Sequence, residues 1–299
     1  MDWDDLRYVL ALAEAGSLAG AARKLKVDHT TVGRRIEALE CAVGVQLFTR
    51  TTNGYTLTRE AEELLPGIRD IEASVLALER KAQARNESIK GTIRITASEA
   101  LGSRFVAPRL SSFARQHPEI CLQFVTAVHA VDLARREADV AIRLFRSQHE
   151  YLVAKRAGEF GYSLYASEEY LARRPAPNGP SDLCKHDLVN LELPMSVPNE
   201  ATWLDDIGKG ARVVLLTNST AVALGAALGG TGITLLPCFL GDVEPRLRRI
   251  PMPNEPTRSV WLTVHKDLRR SPPIRAILDY LTEIFRTDAH LLRYGLRKS

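Results

Sequence analysis

The stretch from Leu6 to Leu57 allows few folds, because three short amphipathic segments separated by turn signals are followed by an Asn-Gly dipeptide between β-prone runs. Leu6, Val9, Leu10 and Ala13 share one helical face before Gly16 stops the first segment. Ser17 offers a hydroxyl cap to a second, in which Leu18, Ala21, Ala22 and Leu25 recur at helical spacing. After a Lys26-Val27 turn, Asp28 caps a third, whose apolar face is Val32, Ile36, Leu39 and Val43. Two short helices joined by a tight turn predict a helix-turn-helix. Gly44 to Arg50 and Thr51 to Thr58, meeting at Asn53-Gly54, predict a two-stranded wing behind it.

Opposite Val32 and Ile36, the third helix carries Thr30, Arg34 and Glu37, flanked by Thr31 and Gly33. In the major groove an arginine pairs with guanine and a threonine touches a thymine methyl or base edge, which assigns base reading to Thr30 and Arg34. His29, Thr31 and Arg35 are placed to bond phosphates. In the wing, Arg50, Thr51, Asn53 and Tyr55 suit phosphates or an adjacent minor groove. Taken alone, the polar face also fits a solvated helix, and Arg50 also fits a cap on the third helix's carboxyl end. Charge distribution favours the first reading. Arg23 to Arg59 holds seven basic against three acidic residues, a surplus of four that equals the net charge of the whole 299-residue chain.

From Thr58 onward Ala61, Leu64, Ile68, Ile71, Val75, Leu78 and Ala82 alternate at three and four residues, the seam of a coiled coil. Such a seam fits either a dimer or an intramolecular docking helix, and Pro66 predicts a kink near Glu62. Residues 83–91, polar and ending in glycine, read as a hinge.

Beyond the hinge, β runs alternate with helical stretches. Thr92–Thr96, Ile120–Thr126 and Val140–Arg143 read as strands, and Arg104–Gln116 and Val131–Glu137 as helices. A second unit starting near Ser167 holds strand Arg212–Leu216, helix Ala221–Leu228 and strand Ile233–Leu236, with Pro175–Pro180 as a surface loop. The last helix, Ile274–Phe285, is expected to return to the first unit. Alternation of this kind predicts parallel sheet covered by helices, with ligands at the strands' carboxyl ends. Thr96-Ala97-Ser98-Glu99 and Thr217-Asn218-Ser219-Thr220 stand at two such ends, and both offer hydroxyls and free N–H groups suited to a carboxylate or similar anion. Ser98 and Ser219 fit simple helix caps equally well. His129 and Arg143 complete the candidate ligand set, with a plain loop residue and an ion pair as their alternatives.

Other chemistries lack their motifs. The four cysteines form no C-x-x-C pair, the Gly229–Gly232 cluster follows a helix where a phosphate loop would precede one, and no Walker, zincin or nucleophile-elbow pattern occurs. Neither enzyme activity nor a cofactor or metal is expected. Cys121 is expected in a buried strand, which sets a thiol sensor aside. No run approaches the roughly 18 apolar residues of a membrane span, and the acidic first residues form no leader peptide, so a cytoplasmic protein with no membrane partner is expected.

The run Gly16-Ser17-Leu18, Ala21-Ala22, Leu25, Val32, Arg35-Ile36, Leu39-Glu40, Gly44, Leu47-Phe48, Arg50 and Leu57-Thr58 resembles the LysR-type transcriptional regulators. The resemblance continues through Gly91-Thr92-Ile93-Arg94-Ile95, Pro108-Arg109-Leu110, His117-Pro118, Ala138–Arg143, Gly230–Ile233 and Leu236-Pro237. Two positions depart from the family: Gly33 stands where serine is usual, and Glu60-Ala61 replaces Ala-Gly after the wing. The resemblance implies an α/β protein with an N-terminal all-α winged helix-turn-helix (residues 1–60), a linker helix with hinge (61–90), and a two-lobed α/β effector domain resembling type II periplasmic binding proteins (91–299). It further implies a regulator acting on double-stranded DNA as a homodimer or homotetramer through the linker helix, governed by a small-molecule effector, with RNA polymerase contact in the case of an activator. The competing reading is a cytosolic solute-binding module whose head only contacts protein, and a hydrolase using a cleft nucleophile such as Ser98 stands third.

Overall fold

The computed structural model describes residues 2, 4–52, 54–84, 89–126, 138–191 and 200–295. They fall into two compact units, Met1–Ala82 and Gln83–Ser299. The first consists of α1 (Asp5–Ala15), α2 (Leu18–Leu25), α3 (His29–Val43), the hairpin β1 (Phe48–Thr51) and β2 (Gly54–Leu57), and α4 (Arg59–Ala84). The expected caps are in place. Gly16 takes the left-handed conformation at φ 64°, Ser17 accepts from the Gly20 N–H at 3.2 Å, and Asp28 accepts from the Thr30 N–H at 2.8 Å. Val32, Ile36 and Leu39 are buried as expected, whereas Val43 is 40% exposed because Leu47 and Phe48 close the core at that end.

The wing is fastened by a carboxylate. Glu40 Oε1 accepts from the N–H groups of Leu47 at 2.6 Å and Phe48 at 3.1 Å. Its far end is fixed by a close backbone approach: the Tyr55 N–H donates to the Gly16 carbonyl at 2.8 Å, and a Cβ on Gly54 would stand 2.3 Å from that oxygen. Thr58 then caps α4 by accepting from the Ala61 N–H at 3.2 Å. α4 runs on through Pro66. Its first turns bury Ala61, Leu65 and Ile68 in the head's core. The sequence seam therefore needs one correction: Leu65 faces inward and Leu64 is exposed, because these turns serve the head rather than a partner. Further along, Val75 (53%) and Leu78 (71%) are exposed.

The second unit opens with β3 (Gly91–Ala97) and an irregular helix that has wide turns at Leu101–Val106 and a tight turn at Ala107–Arg109 before α5 (Leu110–Gln116). Pro108 lacks the N–H a regular turn requires there. Then come β4 (Ile120–Thr126), β5 (Val140–Arg143), β6 (Leu152–Ser167), α6 (Glu168–Arg173), β7 (Asp187–Leu191), α7 (Glu200–Ile207) and β8 (Arg212–Thr217). α8 (Thr220–Leu228), β9 (Ile233–Pro237), α9 (Cys238–Gly241), β10 (Leu247–Ile250), β11 (Thr257–His265), α10 (Pro272–Thr287) and α11 (Ala289–Tyr294) complete it. The helix expected over 131–137 lies outside the described residues.

The strands order as β4-β3-β5-β11-β6-β9-β7-β8, with β10 on β6. β3 pairs in parallel with β4 and β5 in one lobe, and β7 with β8 and β9 in the other. The all-parallel expectation fails between them. β11 runs antiparallel to β5 and β6, and β6 runs antiparallel to β9 and β10. Sixteen-residue β6 spans both lobes, pairing with β11 up to Gly161 and with β9 from Tyr162. α10 packs back on the first lobe as expected: Phe285 stacks on Phe105 at 5.2 Å and Tyr280 lies 5.3 Å from Phe113. Cys121 is exposed on the edge strand β4, not buried; of the four thiols Cys238 alone is enclosed, and burial pushes its pKa up to about 11.

Two outcomes follow for stability. Glu40→Ala leaves two wing N–H groups without their carboxylate and should cost about 1–3 kcal/mol in denaturant unfolding of the head. His186 is buried and hydrogen-bonded through Nδ1 to the Tyr170 hydroxyl at 3.2 Å; chiefly by burial, its pKa is lowered. The unfolded chain therefore takes up this proton first, so stability is present at neutral pH and falls as pH drops through the ordinary histidine range. Thermal unfolding from about pH 7 to about pH 5 should show that fall, and His186→Gln should flatten it.

Candidate nucleic-acid interface and ligand cleft

Side chains at the amino end of α3 divide by partner. Thr30 is exposed, and its hydroxyl donates to Asp28 Oδ1 at 2.6 Å, which together with the Thr30 N–H lowers the Asp28 pKa. That bond ties the threonine hydroxyl to the cap of its own helix. His29 is also exposed, with Nδ1 3.5 Å from Asp28, and Thr31 is half-buried. Arg34 is exposed and has no ion-pair partner among the described residues, as is true of Arg23, Lys26 and Arg50.

Arg35, one residue on, has a different fate. Its Nη1 donates to Asp5 at 3.0 Å and Asp2 at 3.1 Å, and the guanidinium lies 5.8 Å from the centre of the Tyr8 ring. Asp5 is buried. Sequence reading assigned Arg35 to phosphate, but its guanidinium already fastens α3 to α1, because residues on the first helix supply carboxylates where local pattern shows none. Glu40, which fixes the wing, was likewise missed as a positioning residue. Its signal was a lone carboxylate next to the buried Leu39, and only the folded hairpin shows what it binds.

Gly33 is half-buried, and a Cβ there would meet only Leu18 Cδ1, at an ordinary 3.9 Å. The head's packing does not demand a glycine. In the wing, Thr51 donates to the Gly54 carbonyl at 3.2 Å and Tyr55 is half-buried; Asn53 lies outside the described residues.

In the second unit, the two strand ends singled out in sequence meet. Ser219 Oγ accepts from the Val222 N–H at 3.4 Å, capping α8, and lies 3.5 Å from Glu99 Oε2, to which it donates. Ser98, half-buried, follows β3. β3 and β5 pair Thr96 with Ala141, and Arg143 ends β5 two residues further on. Arg143 is buried, which lowers its pKa. Thr96 Oγ1 is buried just behind, with no hydrogen-bond partner among the described residues. Asn218 is exposed beside Ser219, and His129 lies outside the described residues. The edge thus brings the Ser219 hydroxyl to the Glu99 carboxylate, with Ser98 and Asn218 next to them in sequence. The described residues include no group of His, Cys, Asp and Glu able to hold a metal ion, and no helix among them is long and apolar enough to cross a membrane.

Comparison with known proteins agrees with both halves. The sequence model of the bacterial regulatory helix-turn-helix protein, lysR family, matches residues 3–62, and that of the LysR substrate binding domain matches residues 86–286. The chain is 29% identical over 293 residues to the Mau operon transcriptional activator of Paracoccus denitrificans, covering 95% of this chain and 97% of that one. It is 29% identical over 242 residues to the HTH-type transcriptional regulator PgrR of Escherichia coli, covering 78% and 80%. Among solved structures, the full-length Vibrio cholerae virulence activator AphB shares the fold with a TM-score of 0.64 at 24% identity, over 95% of this chain and 99% of that one.

Gly33→Ala separates stability from recognition. Replacing a mid-helix glycine where space exists should raise the unfolding free energy of the head by about 0.5–1 kcal/mol. If DNA approaches this backbone closely, the same change should weaken DNA binding in gel-shift titrations.

Proposed function

The chain belongs to the LysR family of DNA-binding transcriptional regulators, and on that premise we propose that the exposed amino-terminal edge of α3 reads its operator. Arg34 makes the paired contact to guanine and Thr30 the contact to a base edge or thymine methyl. His29, Thr31 and the wing residues Arg50, Thr51, Asn53 and Tyr55 bond sugar-phosphate oxygens, while Gly33 lets the backbone come close. Arg35 acts as a positioning residue, holding α3 at its angle to α1. The observation that carries this reading is the contrast between adjacent arginines: Arg35 is tied to Asp2 and Asp5, and Arg34 is exposed with no ion-pair partner among the described residues.

The exposed Val75 and Leu78 on α4 support assembly of two copies through that helix, which sets two heads on a two-fold operator. A small-molecule effector at Ser98, Glu99, His129, Arg143, Asn218 and Ser219 shifts the balance between arrangements of the heads by binding one better than the other. The Glu99 carboxylate at Ser219 favours an effector that brings a hydrogen-bond donor there as well as an anionic group. Family membership and the solved relatives support a regulator that works inside the cell, and they disfavour a protein-binding head.

Footprinting against selected operator fragments tests the assignment. Arg34→Ala should cost about 1–3 kcal/mol and relax preference at one base position. With six to ten phosphate contacts, wild-type affinity should fall roughly a thousand-fold or more between about 50 and 200 mM salt. Arg35→Ala should lower head stability as well as affinity. Unchanged protection by Arg34→Ala would remove it from the reading face.

A further inference from the structure

The first lobe carries a groove of about 640 Å³ that contains none of the cleft residues. Its floor is the register pair Val153 and Val264 with Leu262 beside them, on β6 and β11. Its wall is α10, where Arg275, Leu278, Asp279 and Thr282 recur at helical spacing along one face. Lys155 rises from β6, paired across from Leu262, and Arg269 and Arg270 enter from the turn before α10.

Four cations therefore surround an apolar floor, with Asp279 the one carboxylate in the lining. All four are exposed, and none has an ion-pair partner among the described residues. Arg275 and Asp279 stand one helical turn apart and still form no salt bridge. Like charges gathered this way repel one another, and an arriving anion relieves that repulsion while accepting paired guanidinium hydrogen bonds. The volume lies within the roughly 300–1,000 Å³ of small-molecule sites.

We propose that this groove is a second ligand site, separate from the interlobe cleft, for a small amphipathic organic anion: a carboxylate or sulfonate on an apolar body of one or two rings. The acidic head lies among Arg269, Arg270, Arg275 and Lys155, and the body lies against the half-buried Val153 and Leu278. Charge complementarity and the groove's limited volume together favour this occupant over an extended acidic peptide.

Equilibrium dialysis of naphthoate against the full-length protein tests it, with neutral naphthalenemethanol as the uncharged counterpart. The Arg269→Ala, Arg275→Ala double variant, altered only at exposed side chains, should bind naphthoate about tenfold or more weakly, since each lost charge-assisted bond is worth that order. Naphthalenemethanol should bind weakly to wild type and double variant alike. Equal naphthoate affinity in the double variant would overturn the proposal, since the probe would then lie outside the groove. Retention of polyglutamate but not naphthoate, sensitive to the same arginines, would assign the groove to an acidic protein segment instead. A change in oligomeric state of the double variant without any change in naphthoate affinity would assign it to a second copy of the chain.

Discussion

Backbone pairing along β6 is the constraint on which the second unit depends. Its sixteen residues join one ladder in each lobe, so the lobes share a continuous hydrogen-bonded spine rather than a flexible tether. With β11 antiparallel beside it, the parallel strands on either side keep their carboxyl ends turned toward a common edge. That is why Glu99 and Ser219, 120 positions apart in the chain, come within 3.5 Å. The meeting of these two ends is thus a product of topology: each half contributes a strand-to-helix junction whose hydroxyls and N–H groups are unspent by the sheet.

In the head, an ion-pair arrangement sorts two arginines that sequence alone treats as equals. They differ by one position, about 100° around the helix, and that rotation carries Arg35 to Asp5 on the first helix and Asp2 just before it, while Arg34 stays outside. The same economy appears at Glu40, where one carboxylate satisfies two backbone donors at the entry to the wing. Both residues do their work on geometry: they fix where the exposed edge of α3 and the hairpin stand.

Local chemistry made the head readable in advance. Ser17, Asp28, Gly16 and the Asn53-Gly54 turn each announce a boundary by a mechanism that acts within four residues. What stayed hidden depends on distant partners. Leu64 and Leu65 are neighbours with the same hydropathy, and only the packed core distinguishes them. β6 carries Lys155, Arg156 and Glu159 amid glycines, which disguises a long strand as a polar connection, and without it the sheet looked parallel throughout. Cys121 seemed interior because its strand is apolar on average, yet β4 forms the sheet's outer edge. For the ligand cleft, the two serine-bearing junctions were legible as strand ends, while the Glu99 bond that unites them was not.

α4 begins as part of the head's core, through Ala61, Leu65 and Ile68, and continues to Ala84. Sixteen further residues of helix at about 1.5 Å each make a rod of roughly 24 Å that is rigidly mortised into the domain at one end. Torque applied at the outer end is therefore delivered into the same core that seats Val32, Ile36 and Leu39 of α3.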